Sequence, residues 1–272
     1  MPRPLSAAHL SAIDLDPPAF LEAAADAGFD AVGLRLIRVT ETTPGYPLMH
    51  DPDAMRQTKA AMASTGLRVA DIEFVKITPE TCIDALLPFL DAGAELGAAQ
   101  VITAPYDPDL NRLANTLGRL SEQAHLRGLG TVLEFFPWTC VPNLAACWKV
   151  VSQAGPHTGL LVDSLHFNRS GSQLDMLRSL PRDRLPFAHL CDAPCQPGYT
   201  EEELLETARA ERLAPGDGDI DLKAFLAALA QDLPLGIEVP MTRMAAAEGS
   251  AAVLKHICDR TKGFLATFDD CS

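Results

Sequence analysis

The chain has 272 residues, 47% of them hydrophobic, which suits one large α/β domain better than two small ones and leaves ample material for a core. Its formal charge of −14 and pI near 4.8 argue against a polyanionic partner, because nucleic acids are bound by Lys and Arg side chains that displace counterions from phosphates. Small polar substrates or a cation fit this balance, and no nucleic-acid partner is expected.

The opening MPRPLSAAHLSA contains no long apolar stretch, and nowhere does the chain approach the roughly 20 consecutive apolar residues of a membrane span. No membrane association is expected. From there one unit recurs five times: a helix rich in Ala and Leu ends in Gly, and an apolar strand follows within two or three residues. The copies are EAAADAGFDAVGLRL, AAMASTGLRVADIEF, DAGAELGAAQVITA, EQAHLRGLGTVLEF and VVSQAGPHTGLLVD. Gly66, Gly97 and Gly155 are placed to take the left-handed conformation that ends a helix and turns the chain into the next strand. Pro17, Pro79 and Pro142 lie near helix starts, where a missing N–H is tolerated.

Strands are predicted to begin near residues 5, 31, 68, 99, 131, 159, 186 and 235, with helical pattern between each pair. Eight such alternations predict an α/β protein, a single (β/α)8 TIM barrel over residues 1–272. An open doubly wound sheet is the rival. It is disfavoured because the first βα turn lacks GxGxxG, and because metal-ligand residues spread over four successive strands of an open sheet lie too far apart to share one ion. One interval breaks the rhythm, the stretch of about 45 residues between the seventh and eighth strands. Its segment 191–221 carries the acidic helix TEEELLETARAE and then RLAPGDGDID, and reads as a lid over the catalytic face.

Glu134, Asp163, His189 and Glu238 each close a short apolar run: TVLE, GLLVD, PFAH and LGIE. On neighbouring strands of one barrel their side chains would converge at the face where barrel enzymes do chemistry. Two Glu, one Asp and one His form a hard, oxygen-rich set suited to one divalent cation, Mn²⁺ or Mg²⁺, with Co²⁺ or Zn²⁺ as further options. His166, three residues beyond Asp163, is expected to rise into the pocket and bind substrate, as is Arg212 within the lid. Loss of the Arg212 guanidinium is expected to impair turnover while leaving metal content and unfolding nearly unchanged. Asp192 is expected to support a ligand from behind, and Glu73, Lys76 and Arg35 to line the mouth. The seven cysteines, odd in number and without a CxxC pair, suggest neither a zinc ribbon nor a disulfide framework, and point to a reducing cytoplasm. Asn168-Arg169-Ser170 matches a glycosylation sequon and is read as chance.

These marks, Glu134 in LEFFP, Asp163 and His166 in VDSLHFNRSG, His189 and Asp192 in HLCDA, Arg212 before PGDGDID and Glu238 in IEVP, resemble the xylose isomerase-like TIM-barrel superfamily. That group includes ketose 3-epimerases, inosose dehydratase and dehydroshikimate dehydratase. The resemblance runs over essentially the whole chain. It implies that Glu134, Asp163, His189 and Glu238 hold the metal, that Glu134 and Glu238 are catalytic and also exchange the proton, and that His166 and Arg212 contact substrate oxygens. The implied activity is a metal-dependent isomerase or epimerase of a sugar, polyol ketone or sugar acid, working through an enediolate. A dehydratase on the same scaffold is the alternative. An endonuclease IV-type nuclease and a non-catalytic binding barrel are remoter readings. The chain departs from many relatives in carrying Gly33 where they have Glu and Cys191 where they have Lys. Both differences bear on the substrate, and Arg35 is placed to compensate by meeting an anionic group. The sequence leaves homo-oligomerisation open.

Overall fold

The computed structural model describes residues 3–41 and 43–269. Eight parallel strands pair in chain order and close into a barrel. The first half runs β1 (Leu5–Ala7), α1 (Pro17–Ala27), β2 (Ala31–Arg35), α2 (Pro52–Thr65), β3 (Arg68–Ile77), α3 (Ile83–Glu95), β4 (Gln100–Pro105) and α4 (Leu110–His125). Then come β5 (Gly130–Glu134), α5 (Leu144–Ala154), β6 (Thr158–Asp163), α6 (Ser164–Arg169), α7 (Leu174–Ser179) and β7 (Ala188–Leu190). The chain closes with α8 (Glu201–Arg209), α9 (Leu222–Ala227), β8 (Leu235–Ile237), α10 (Thr242–Glu248) and α11 (Ser250–Asp269). Every strand starts within two residues of its expected position.

The punctuation works as the residue types dictate. Gly66, Gly97 and Gly155 have φ of 75°, 67° and 112°, positive values that glycine takes without a Cβ clash. Pro17 opens α1 behind the Asp16 cap, and Pro52 does the same for α2 behind Asp51. Pro79 and Pro142 precede α3 and α5 without entering them.

Apolar side chains form two separate cores. The larger lies between the sheet and the helices and includes Phe20, Leu34, Phe89, Phe135 and Ile257. The smaller fills the barrel interior with Ile102, Val132, Leu161, Phe74, Phe136 and Phe187. Register shifts along β3 set which of its side chains point inward. A shift beside Val32/Gly33 pairs Asp71 with Gly33 and Glu73 with Arg35. A second, between Ile72 and Val75, lets Phe74 join the interior cluster directly after Glu73.

The long connection after β7 is held to the barrel at its base. Asp192 and Leu213 form an antiparallel bridge, and Glu211 pairs likewise with Met241. Helix α8 begins with a capping box in which Thr200 and Glu203 satisfy each other's backbone N–H groups. Among the described residues no helix is long and apolar enough to cross a membrane. The six described cysteines are free thiols, and Cys271 lies outside the described residues.

Candidate functional site

Four consecutive strands bring Glu134, Asp163, His189 and Glu238 together at their C-terminal ends, buried, with one ligand-type atom from each lying within 4.8 Å of all the others. Glu134 and Asp163 are the last residues of β5 and β6, His189 is the middle residue of β7, and Glu238 directly follows β8. Register explains the convergence: Asp163 pairs with His189, and His189 with Gly236, so these positions face the interior side by side. Gly236 leaves room for the imidazole, since a Cβ there would overlap the His189 ring.

Asp163 serves two purposes. Its Oδ1 accepts from the Leu165 and His166 amides at 2.7 and 3.2 Å, capping α6, while Oδ2 accepts from Arg212 Nη1 at 2.7 Å. Burial alone would raise its pKa, but Arg212, His166 and His189 hold it down at about 2. Glu134 has no such partner. Burial, then the facing carboxylates of Glu238 and Asp163, push it well above the ordinary range.

Arg212, on the long connection after β7, does not face solvent. It is 2% exposed and donates to Asp163 Oδ2 and Glu238 Oε2, both at 2.7 Å, and to the Glu238 and Ala208 carbonyls. Removing it would strip charge compensation from two of the four clustered residues. Metal content and unfolding are therefore not expected to stay nearly unchanged when Arg212 is lost. Asp192 likewise acts elsewhere than behind a ligand: its carboxylate accepts from the amides of Ala193, Gly216 and Ile220, organising the loop that carries Arg212.

The donor set fits a divalent cation. Three carboxylates against one guanidinium leave two formal negative charges in a buried space, and both ring nitrogens of His189 and Oε1 of Glu134 lack hydrogen-bond partners among the described residues. His189 Nδ1 stands 3.9 Å from Asp163 Oδ2 and 3.8 Å from Glu238 Oε2, which places it inside the cluster. These four residues could hold one such ion.

A cavity of about 320 Å³ opens beside the cluster, reached by Glu134, His166, Arg212 and Glu238 and walled by Phe74, Tyr106, Phe136 and Trp138. His166 is buried, with Nε2 3.8 Å from Glu134 Oε1 and edge-on ring contacts to Phe136 and Trp138. Burial lowers its pKa to about 4, so its imidazole is neutral at pH 7. Arg35 also lines the cavity and meets Glu73 at 3.2 Å. Lys76 stands at the wall, its ammonium 5.1 Å from the centre of the Tyr106 ring and donating to the Val39 carbonyl at 2.7 Å.

Three contributors escaped the sequence reading. Asp71 is buried inside the barrel, and a Cβ at Gly33 would overlap its carboxyl oxygens, so the small residue on β2 makes room for an acid supplied by β3. Its signal was the spacing of Asp71 and Glu73, two apart on an apolar strand and hence on one face. His9 is stacked between Phe20 and Tyr46, and its Nδ1 accepts from the Arg35 amide at 3.0 Å while Nε2 meets the Leu15 carbonyl. It holds the end of β2, and no local pattern announces it. The aromatic wall takes Phe136 and Trp138 from the FFPW segment that follows Glu134, and Phe74 and Tyr106 from β3 and just past the end of β4.

The chain is similar to two kinds of curated protein. It is 28% identical over 261 residues to a 3-dehydroshikimate dehydratase of Pseudomonas putida, covering 87% of this chain and 39% of that protein. It is 32% identical over 120 residues to an inosose isomerase of Bacillus velezensis, covering 43% of this chain and 40% of that protein. The chain thus spans about two fifths of the length of the curated relatives it matches. Among solved structures it resembles a xylose isomerase-like TIM barrel/4-hydroxyphenylpyruvate dioxygenase fusion protein, with 26% identity, a TM-score of 0.75, and coverage of 92% of this chain and 42% of that one. The family match spans residues 21–259 and takes in all four clustered strand-end residues. The chain belongs to the xylose isomerase-like TIM barrel family.

Proposed function

We propose that this protein is a divalent-metal-dependent lyase that removes water from a small cyclic hydroxy-carbonyl compound. The observation that carries this reading is the inequality of the two glutamates in the pocket. Glu238 is bound by Arg212 at 2.7 Å, whereas Glu134 keeps an unpartnered Oε1 beside His166. Epimerisation asks for two proton acceptors on opposite faces of a carbon. Elimination needs one, together with a departing β-hydroxyl.

Glu134, Asp163, His189 and Glu238 would hold the ion, with Mn²⁺ or Mg²⁺ favoured by the oxygen-rich set and Co²⁺ or Zn²⁺ compatible with it. When bound, such an ion supplies Lewis-acid stabilisation of negative charge developing on a carbonyl oxygen. Glu134 takes the proton from the carbon next to the carbonyl, and the electron pair of that C–H bond becomes the new C=C bond. The β-hydroxyl leaves with a proton returned from Glu134, so water departs and the carboxylate is restored. His166, neutral and packed edge-on against Phe136 and Trp138, is placed to donate a hydrogen bond to the departing oxygen. Arg212 keeps Asp163 and Glu238 charged and oriented. The aromatic walls suit a ring that flattens as the double bond forms.

Both Glu134 and Glu238 reach the cavity, which favours isomerase or epimerase action on a related polyol ketone as the second reading. Proton NMR of the Mn²⁺-loaded protein incubated in deuterated water, followed by metal removal before recording, separates the two. With 3-dehydroshikimate, the compound named for one relative, an unsaturated ring product should accumulate in stoichiometric amount. Return of substrate or an epimer carrying deuterium, with no unsaturated product, from this compound or from an inosose or ketose would reject dehydration in favour of proton exchange.

A further inference from the structure

We propose that the substrate carries a carboxylate, and that Arg35 and Arg209 form its subsite in the wall of the cavity that Glu134 and Glu238 also line. This rests on the reading of the site as one for a small hydroxy-carbonyl compound, and it names the anionic group of that compound.

Three arginines line the cavity, and they differ in what they are free to do. Arg212 is committed to Asp163 and Glu238. Arg35 is 6% exposed, touches Glu73 through one nitrogen at 3.2 Å, and has a buried Nε without a hydrogen-bond partner among the described residues. A guanidinium satisfied at one corner and held in a cavity wall retains fork geometry for two carboxylate oxygens. Its backbone is immobilised by the His9 ring, which accepts the Arg35 N–H at 3.0 Å, so the side chain projects from a set point on the end of β2. Arg209, at the end of α8, lines the same cavity from the lid side, is exposed, and makes no ion pair among the described residues. Lys76 adds positive potential beside the Tyr106 ring, its pKa lowered by burial and then by Arg209 and Arg35.

The surrounding charge sharpens the point. In a chain of net charge −14, an arginine lining a buried cavity with one contact to an acid and another at the rim with none are out of keeping with a pocket for a neutral sugar. A ring bearing a carbonyl and hydroxyls together with a carboxylate matches a cavity lined both by metal-ligand residues and by these arginines.

The test uses Mn²⁺-loaded protein and a matched pair of planar probes, 3,4-dihydroxybenzoate and catechol, which share metal-binding hydroxyls and differ only in the carboxylate. Affinities are measured by calorimetry, without turnover, so a protein that fails to dehydrate anything still answers the question. Wild type should bind the acid at least about 10-fold more tightly than catechol, as expected for a charge-assisted hydrogen-bonded pair. Arg35→Gln should weaken the acid by about 10–100-fold and leave catechol within about 2-fold. Arg209→Gln, at an exposed rim position where folding is not at issue, should weaken the acid by about 2–5-fold, again without effect on catechol. Equal affinity of wild type for the two probes would overturn the proposal. So would a loss in Arg35→Gln that is the same for both, since that marks a residue holding the pocket's shape and not reading the anion.

Discussion

Replacing Glu134 by Gln should lower turnover by at least about 10²-fold at saturating metal, the loss expected when a positioned proton-transfer group is deleted. The substitution preserves size in a buried site, so the side chain's place beside His166 is kept. It also weakens one of the four ligand-type groups, and the two effects must be separated. Raising the Mn²⁺ concentration restores occupancy but not the base, so the residual deficit measured with one bound equivalent belongs to proton transfer. Stability should move the other way. Glu134 is held well above the usual carboxylate range by burial and by its acidic neighbours, and the neutral amide relieves that repulsion in the metal-free protein. Glu134→Gln should therefore melt no lower than wild type when both are stripped of metal. Full turnover in the reloaded variant would remove Glu134 from the chemistry.

Replacing Arg212 by Met should do the opposite to the metal-free protein. It strands Asp163 and Glu238, buried carboxylates that both accept hydrogen bonds from this guanidinium. Breaking a buried pair by removing one partner destabilises by about 3–5 kcal/mol, because the remaining charge stays out of water. A bound divalent cation supplies part of the missing positive charge, so the metal-loaded variant should lose less stability than the metal-free one. Thermal unfolding with and without Mn²⁺ reads both numbers. An unfolding temperature within experimental error of wild type in both states would show that these contacts contribute nothing to the fold.

The barrel was legible because its signals are local. Helix-terminal glycines and the apolar strands that follow them are each written within a single βα unit, as at Gly66 and Gly97. The four clustered residues were legible for a related reason: a strand's last inward side chain is named by its position in the run, and closing the barrel brings four such ends together. What escaped depends on register or on distant contacts. Asp71 faces Gly33 because a shift along β3 changes which residues point inward, and nothing in VADIEF declares where that shift falls. Arg212 reaches Asp163 across 49 positions in sequence, and Asp192 spends its carboxylate on amides as far away as Ile220. Such partners are chosen by how the long connection after β7 folds back, a property of tertiary packing that no window of sequence carries.

The central claim is that four strand ends form one divalent-cation centre, and anomalous diffraction from crystals of the Mn²⁺-loaded protein tests it most directly. The account predicts a single strong peak within about 2.0–2.3 Å of one atom each from Glu134, Asp163, His189 and Glu238. No peak at full Mn²⁺ loading, or a peak seated on other residues while these four stay as they are, would contradict it.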